Sequence, residues 1–223
     1  MKTKQKEIPK IPRSSILFIR NKLFKYSDVL YDNYRWRKTT NKFHALVVEI
    51  MLQRTKADQV LPVYIHFSEK YKTPEEYIKK NKVNLFKTLG LPARHDSLQK
   101  LAQYLTDEKD IPLNRSELLK LPGVGEYVAS AFLSLHNNKY DILIDSNIVR
   151  FYSRFFGFPS SPETRREKWI RELGKKITPR KEFKKFNYSL LDFTRKICKP
   201  RNPLCETCLL APKCEFGLKV KQI

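Results

Sequence analysis

The sequence contains no run of about 18 apolar residues, no internal repeat and no glycine- or serine-rich linker. The missing apolar run excludes a membrane-spanning helix, so no membrane partner is expected. The N-terminal segment MKTKQKEIPKIPRSS is basic, but it lacks the apolar core and the cleavage site of a secretory signal. We therefore expect a cytoplasmic protein, and any second domain should pack closely on the first.

Acidic residues are scarce: 23 Asp and Glu stand against 45 Lys and Arg, which gives 223 residues a net charge of +22. Hydrophobic residues make up 41% of the chain and aromatic residues 12%, enough for a packed core, so wholesale disorder is excluded. A charge of this size attracts polyanions, and nucleic acid is favoured over a merely solvated lysine-rich surface. Charge alone does not say what is done to that partner.

Sustained alternation of apolar and polar residues is nearly absent and is limited to Tyr140–Ile144. Apolar residues recur instead at helical spacing, and four segments carry capping signals before a helix. These signals lie at Thr40-Asn41, Thr73-Pro74, Asn114 and Ser161-Pro162. Pro62 predicts a kink or a helix boundary. The sequence thus predicts an all-α fold.

The four cysteines form the pattern C-x6-C-x2-C-x5-C within seventeen residues. They are Cys198, Cys205, Cys208 and Cys214. In a cytoplasmic chain such clustering favours metal over disulfides, and four thiolates can hold zinc or a [4Fe–4S] cluster. The wide gaps favour the cluster. Lys199 and Arg201, in the proline-rich loop after the first cysteine, could press against a phosphate backbone or simply be solvated.

The string Leu121-Pro122-Gly123-Val124-Gly125 lies between two predicted helices, Arg115–Lys120 and Glu126–Leu135. Free N–H groups from Gly123 to Glu126 could bind one DNA phosphate, as in a helix-hairpin-helix, although a tight interhelical turn would look similar. Further on, Asp145 follows three apolar residues, where a carboxylate is costly unless it is paired, used or serves as a helix cap.

The hairpin, Asp145 and the cysteines, in this order, resemble the helix-hairpin-helix DNA glycosylases of the endonuclease III superfamily, from about Tyr34 to Cys214. Further matching segments are Trp36-Arg37, Glu49–Thr55, Leu89–Leu91 and Asn187–Asp192. The resemblance implies a two-lobed fold. Residues 40–140 would form a six-helix barrel lobe with the hairpin, and residues 1–39 and 141–223 a [4Fe–4S] cluster lobe, with DNA bound across the cleft.

The resemblance also assigns roles to single residues. Asp145 is the catalytic carboxylate, and Tyr127 stands where bifunctional members carry the Schiff-base lysine, so a lyase step is not expected. With Ile144–Asn147 and Arg154–Gly157, Tyr127 resembles most closely the archaeal thymine-DNA mismatch glycosylases. These assignments predict a monofunctional base excision repair enzyme that removes flipped-out thymine or uracil mispaired with guanine.

Glu49 could protonate a purine, accept a hydrogen bond from a pyrimidine ring N–H, or be a solvated helix acid. Gln53, expected one turn further on the same helix face, would fill the hole left by the flipped base, and Arg54 would serve the widowed guanine. With these two, the predicted DNA contacts are Leu121, Gly123, Val124, Gly125, Lys199 and Arg201. The four histidines (His44, His66, His95 and His136) receive no role, and Trp36, Tyr31 and Tyr34 are expected to pack between the lobes.

Three alternatives remain. An adenine glycosylase acting opposite 8-oxoguanine is favoured by Glu49 and the cysteine spacing, but such enzymes usually carry a further C-terminal domain, and nine residues follow Cys214. A bifunctional endonuclease III-like enzyme is disfavoured by Tyr127. A non-catalytic DNA-binding module would not need Asp145. In each case the partner is double-stranded DNA, with a mismatched or damaged base for the enzymes, and a monomer is expected.

Overall fold

The computed structural model describes residues 11–80, 84–92, 94–108 and 110–220. These residues form eleven α-helices and no β-strand, which confirms the all-α prediction. The helices are α1 (Arg13–Val29), α2 (Lys42–Met51), α3 (Ala57–Lys70), α4 (Pro74–Lys80), α5 (Arg94–Glu108), α6 (Arg115–Leu118), α7 (Glu126–Ala131), α8 (Ser146–Phe156), α9 (Lys168–Ile177), α10 (Phe183–Lys196) and α11 (Glu215–Val220). A π-helix, Phe132–His136, continues α7. Within the described ranges, no helix is both long and apolar enough to cross a bilayer.

The chain divides into two compact units. The central unit spans residues 33–139, and the terminal unit combines the described residues up to Asp32 with those from Tyr140 onward. Residues 33–39 were expected in the cluster lobe but belong to the central unit, because Tyr34 stacks on Trp36 at 4.3 Å and Trp36 meets Tyr64 of α3 edge to face. The ends of the predicted cluster lobe, 1–10 and 221–223, lie outside the described residues.

Several helices begin at a residue whose side chain caps the helix N-terminus. The side chains of Asn41, Thr73 and Asn114 each accept a hydrogen bond from the backbone N–H three residues later, at 3.0, 3.3 and 2.9 Å, as predicted. The prediction at Ser161 was wrong. Its backbone N–H donates to the side chain of Thr164 at 3.0 Å, and only a 3₁₀ turn (Thr164–Arg166) follows before α9.

Helix α3 runs continuously through Pro62, so of the two outcomes predicted there, a kink or a helix boundary, the boundary was wrong. Proline removes one backbone N–H and leaves the carbonyl four residues earlier without its helical donor. Pro62 lies on the exposed side of α3, where water can satisfy that carbonyl, so the helix tolerates the residue.

Helix α2 is the buried centre of the central unit. Every residue from Phe43 to Met51 is buried, so this helix has no solvent-facing side over that range. Phe43 packs against Phe67 of α3 and Tyr77 of α4 with ring centroids 5.6 and 6.5 Å apart. This aromatic cluster fixes α2 in place, and with it the one acidic residue of the helix, Glu49.

In the terminal unit, α1 packs along α10. Arg20 donates to the carbonyl of Ile177 at 2.8 Å, and Lys196 donates to that of Leu30 at 2.6 Å. Tyr26 accepts a hydrogen bond from the Leu209 N–H at 2.8 Å. Of these contacts, the one between Tyr26 and Leu209 ties α1 to the segment that carries the cysteines.

Candidate active site and nucleic-acid interface

The glycine hairpin joins α6 to α7, and its apolar side chains point into the core. Leu121 is 3% exposed and Val124 6% exposed. The N–H of Val124 donates to the carbonyl of Leu121 at 3.1 Å. The expected row of free N–H groups is therefore broken at Val124. Leu121 and Val124 can contribute to DNA binding only through their backbone and by holding the hairpin in shape.

The two hairpin glycines differ in what they require. Gly123 has φ +78°, in the left-handed region, and a Cβ there would lie 3.3 Å from the Cβ of Ser97. Gly125 has φ −96°, and no heavy atom would lie within 4 Å of an added Cβ. The fold thus needs glycine at position 123. At position 125 the missing side chain only keeps the surface open.

Arg115 braces the hairpin from α6. Its guanidinium forms an ion pair with Glu126 at the start of α7 and donates to the hydroxyl of Ser130 at 2.8 Å. Because both partners lie on α7, one side chain holds the two helices of the motif together.

The segment after α2 is a turn, so the prediction that Gln53 shares a helix face with Glu49 was wrong: α2 ends at Met51. Gln53 instead donates from Nε2 to the carbonyl of Gly123 at 3.4 Å, which places it against the hairpin. Arg54 is exposed and has φ +61°, a conformation that is strained for a residue with a side chain. The turn thus presents a cation beside the hairpin.

Glu49 is only 2% exposed, so it is not the solvated helix acid that was considered. Its Oε1 lies 2.9 Å from Nε2 of His136, whose side chain is also almost fully buried. Its Oε2 is buried without a hydrogen-bond partner among the described residues. Sequence reasoning missed His136, because 87 positions separate it from Glu49 and no local pattern joins them.

Tyr127 lies in the first turn of α7 and is partly exposed. Lys120, on the other side of the hairpin in the sequence, ion-pairs with Glu117 at 2.9 Å, and this hydrogen bond raises the pKa of Lys120 above its ordinary value.

Asp145 caps α8 in the terminal unit, at the end of an extended segment. The preceding residues, Ile142, Leu143 and Ile144, are buried. Its Oδ1 accepts from the Ile148 N–H at 2.7 Å, and its Oδ2 accepts from the Asn147 side chain at 2.9 Å. Burial raises the pKa of Asp145, while these two hydrogen bonds oppose the rise.

A chain of hydrogen bonds leads from Asp145 to the cysteine segment. Asn147 accepts from the guanidinium of Arg150 at 2.7 Å, and Arg150 donates to the carbonyl of Cys198 at 2.7 Å. One turn on, Arg154 donates to the carbonyl of Lys199 at 2.6 Å. Helix α8 therefore holds the carboxylate at its N-terminus and grips the cysteine loop along its side.

The four cysteine side chains line one cavity of the terminal unit, together with Phe151, Arg154 and Phe216. The Gly217 N–H donates to Cys214 at 3.4 Å, and Arg154 lies 3.6 Å from the sulfur of Cys198. Such donors are typical around iron–sulfur sulfurs, so the cavity and donor set fit a four-thiolate cluster. Among the described residues, no three His, Cys, Asp or Glu side chains are placed to hold a single metal ion.

The thiols are buried enough to need a counter-charge if they are to ionise. Burial raises the pKa of Cys208, and it raises that of Cys214 to about 11. On the loop between the first two cysteines, Lys199 is half-buried and Arg201 is exposed. Asn202 has φ +48°, so the loop turns back sharply after Arg201.

His44 and three aromatic residues, Tyr31, Tyr34 and Trp36, have partners within their own unit. His44 is buried, with Nε2 2.6 Å from the carbonyl of Tyr71. Trp36 and Tyr34 pack within the central unit, and Tyr31 meets Tyr188 edge to face within the terminal unit.

Comparison with known proteins locates this arrangement in a family. The model of the HhH-GPD superfamily of base excision DNA repair proteins matches residues 47–179. A thymine/uracil-DNA glycosylase of Methanothermobacter thermautotrophicus is 34% identical over 190 residues, which covers 82% of this chain and 86% of that protein. The solved structure of a thermostable thymine-DNA glycosylase is 31% identical and superposes with a TM-score of 0.83 over 92% of this chain and 98% of its own. A non-covalent complex of endonuclease III with DNA is 26% identical, with a TM-score of 0.80 over 96% and 100%.

Proposed function

Because this chain belongs to the HhH-GPD superfamily of base excision DNA repair proteins and has the fold of the helix-hairpin-helix glycosylases, we propose that it is a monofunctional DNA glycosylase. Its substrate is thymine or uracil opposite guanine, and it hydrolyses the N-glycosidic bond of the extruded nucleotide. The observation that carries the proposal is Asp145, a partly buried carboxylate held by two hydrogen bonds at the start of a helix. The similarity to a thymine/uracil-DNA glycosylase supports the choice of base.

Asp145 acts on the sugar. As the glycosidic bond breaks, the sugar gains oxocarbenium-like positive charge, which a fixed carboxylate in a desolvated position stabilises more strongly than water does. The same group positions or deprotonates the attacking water. Because burial raises its pKa, Asp145 is a better proton acceptor than an exposed aspartate.

Two kinds of contact hold the DNA. The backbone around Gly123 and Gly125 binds a phosphate without reading sequence, and Lys199 and Arg201 add cationic contacts. Gln53, tethered to the hairpin, fills the space of the extruded base, and Arg54 serves the widowed guanine. The partner is therefore a duplex with one mispaired nucleotide.

The absence of a lyase step rests on Tyr127 and Lys120. A phenol cannot form an imine with C1′, and the amine of Lys120 is engaged in an ion pair with Glu117. Hydrolysis by water then remains the route of base release.

The cysteines Cys198, Cys205, Cys208 and Cys214 would hold a [4Fe–4S] cluster. When bound, such a cluster keeps the four sulfurs as thiolates and fixes the segment that carries them. Arg150 and Arg154 already bind the carbonyls of this segment, so it presents Lys199 and Arg201 in a defined place.

Single-turnover cleavage of matched duplexes tests the function. The panel carries thymine or uracil opposite guanine, adenine opposite 8-oxoguanine, and thymine glycol, each assayed with and without alkali and with borohydride trapping. We expect alkali-dependent breakage at thymine and uracil opposite guanine, and no trapped covalent complex. Breakage without alkali, together with trapping, would contradict a monofunctional enzyme.

A second candidate, an adenine glycosylase acting opposite 8-oxoguanine, is favoured by the burial of Glu49, since a buried carboxyl can serve as a general acid towards a purine. Adenine release in the same panel would select it. No cleavage of any duplex, with DNA binding intact, would select a non-catalytic module.

A further inference from the structure

Glu49 is placed like a ligand group rather than a structural one. It is the only acidic residue of α2, it is 98% buried, and just one of its oxygens has a partner among the described residues, His136. An unpaired buried carboxylate oxygen carries the full cost of losing its water. In a binding site that cost is recovered when a ligand supplies the missing donor.

The proton in the contact between Glu49 and His136 determines what a ligand must supply. The contact between Oε1 of Glu49 and Nε2 of His136 contains one proton, whether it resides on the nitrogen or on the oxygen. In both cases Oε2 presents lone pairs only. As long as the contact with His136 persists and no second proton is added, Oε2 can accept a hydrogen bond but cannot donate one.

The backbone of His136 has an unusual conformation that supports this placement. His136 is the last residue of the π-helix Phe132–His136, in which the backbone N–H of Asn137 donates to the carbonyl of Phe132 at 3.2 Å. The side-chain amide of Asn137 donates to the same carbonyl at 2.8 Å. π-Helical turns are rare and are found mostly at functional sites, where the extra residue redirects a side chain.

We propose that His136 is a positioning residue that holds Glu49 as an obligate hydrogen-bond acceptor, so that the site selects bases with a ring N–H. Thymine and uracil carry a proton on N3, whereas N3 of cytosine and N7 of adenine are acceptors that Oε2 would repel. This inference rests on the proposed function and specifies how its base is selected. Normal cytosine opposite guanine is thereby rejected by hydrogen-bond polarity.

The test compares uracil with N3-methyluracil, each opposite guanine. The methyl group removes the N3 proton and weakens pairing with guanine, so ease of extrusion alone would favour the methylated base. We expect the wild-type protein to cleave uracil about 10- to 100-fold faster, the range for one hydrogen bond to a charged group. Equal rates, or a preference for the methylated base, would overturn the proposal.

Variants of His136 distinguish selection by hydrogen-bond polarity from exclusion of the methyl group by the size of the pocket. His136→Leu should lower the single-turnover rate on uracil to near that on N3-methyluracil, while DNA affinity changes less than about threefold. His136→Gln retains an N–H donor towards Oε1 and should restore most of the preference. If His136→Leu keeps the full preference, the pocket excludes the methyl group by size and His136 does not position Glu49.

His44 provides a matched control, because it is a buried histidine of the same unit whose Nε2 contacts a backbone carbonyl. His44→Gln should lower stability without changing the preference for uracil. Binding of the same duplexes with a 2′-fluoro sugar, which resists cleavage, gives a readout that does not depend on turnover. Absence of cleavage by the wild type would refute the proposed function. Equal binding of the 2′-fluoro duplexes with uracil and with N3-methyluracil would refute the proposed role of His136, whatever the cleavage result.

Discussion

Asp145 is a partly buried carboxylate and Glu49 a fully buried one, and their oxygens are satisfied differently. Both oxygens of Asp145 accept hydrogen bonds, one from a helix N-terminus and one from Asn147, which is itself bound to the cationic Arg150. Glu49 has a single partner, His136, and one oxygen without any partner among the described residues. The terminal unit thus supplies a stabilised negative charge, and the central unit supplies an open lone pair.

This difference matches what each group is proposed to act on. A sugar that becomes positively charged needs a nearby anion that does not move, and a fully hydrogen-bonded carboxylate meets that need. A base that must be recognised needs a hydrogen-bonding group that is still unsatisfied before it arrives. Variants that alter one carboxylate at a time should therefore change different properties.

The largest effect is expected from Asp145→Asn. Asparagine retains the N-cap but removes the charge, so single-turnover cleavage should fall at least about 10³-fold while duplex affinity stays within about threefold. Cleavage as fast as in the wild type would show that Asp145 is not the catalytic carboxylate. The proposed division of tasks between Asp145 and Glu49 would then fail.

Glu49→Gln should have the next largest effect, about 10²-fold on cleavage of uracil opposite guanine. If His136 keeps donating to the amide oxygen, the amide NH₂ faces the base and opposes its N3–H. Unlike Asp145→Asn, this variant should also lose the preference for uracil over N3-methyluracil. A uniform loss on both bases would mean that the two carboxylates do not divide their tasks as proposed.

Asn147→Ala brings Asp145 closer to the state of Glu49, because it leaves Oδ2 without its side-chain donor. We expect a fall of about tenfold in the cleavage rate on uracil and on N3-methyluracil alike, since the charge remains but is less well held. Rates measured on the two duplexes in parallel test this. A change confined to one base would instead assign Asn147 to base recognition.

The DNA contacts of the two units should differ in their dependence on salt. Lys199→Ala with Arg201→Ala removes two cations, so the slope of log affinity against log salt should become shallower by up to about 1.8. Gly125→Ala should lower affinity severalfold with little change of slope, because the hairpin is proposed to bind phosphate through uncharged N–H groups. Since a Cβ at Gly125 meets no atom within 4 Å, the fold should be unaffected. Fluorescence titrations from 50 to about 300 mM salt measure both slopes.

The smallest effect concerns stability. Burial raises the pKa of Asp145 above its unfolded value, so its contribution to folding is fully present below the unfolded pKa and is lost as pH rises through the folded pKa. Because asparagine does not titrate, the Asp145→Asn variant does not lose this contribution as pH rises. The free energy of unfolding of the variant should therefore rise relative to that of wild type as pH rises across this range. Urea unfolding at several pH values would detect it, and a pH-independent difference would contradict it.

Much of the fold and part of the site could be predicted from short segments. Asn41, Asn114 and Asp145 each cap a helix through a bond to a residue three positions away, and Gly157 ends α8 in the left-handed region. Asp145 was considered as a cap for the helix beginning near Ser146, and its side chain does cap α8. The error at Ser161 has the same local origin, because a Ser-Pro pair can begin a 3₁₀ turn as readily as an α-helix.

The predictions that were wrong at the site are of two kinds. They concern either contacts between residues that are distant in sequence or surroundings that only helix packing creates. Glu49 was considered as a solvated acid because its helix could not be known to lie at the centre of the unit. Gln53 was expected on the same helix face, but the helix ends at Met51 and the side chain turns to the hairpin.

The sequence alone therefore determined what depends on neighbours within a helical turn: the all-α fold, most of the caps, the glycine hairpin and the clustered cysteines. Tertiary structure decided which polar groups lost their water and which distant partners replaced it. His136 meets Glu49 across 87 positions, and Arg150 meets the Cys198 carbonyl across 48. Hydrogen bonds within one turn follow from local spacing, whereas desolvation and long-range pairing arise only when the helices pack.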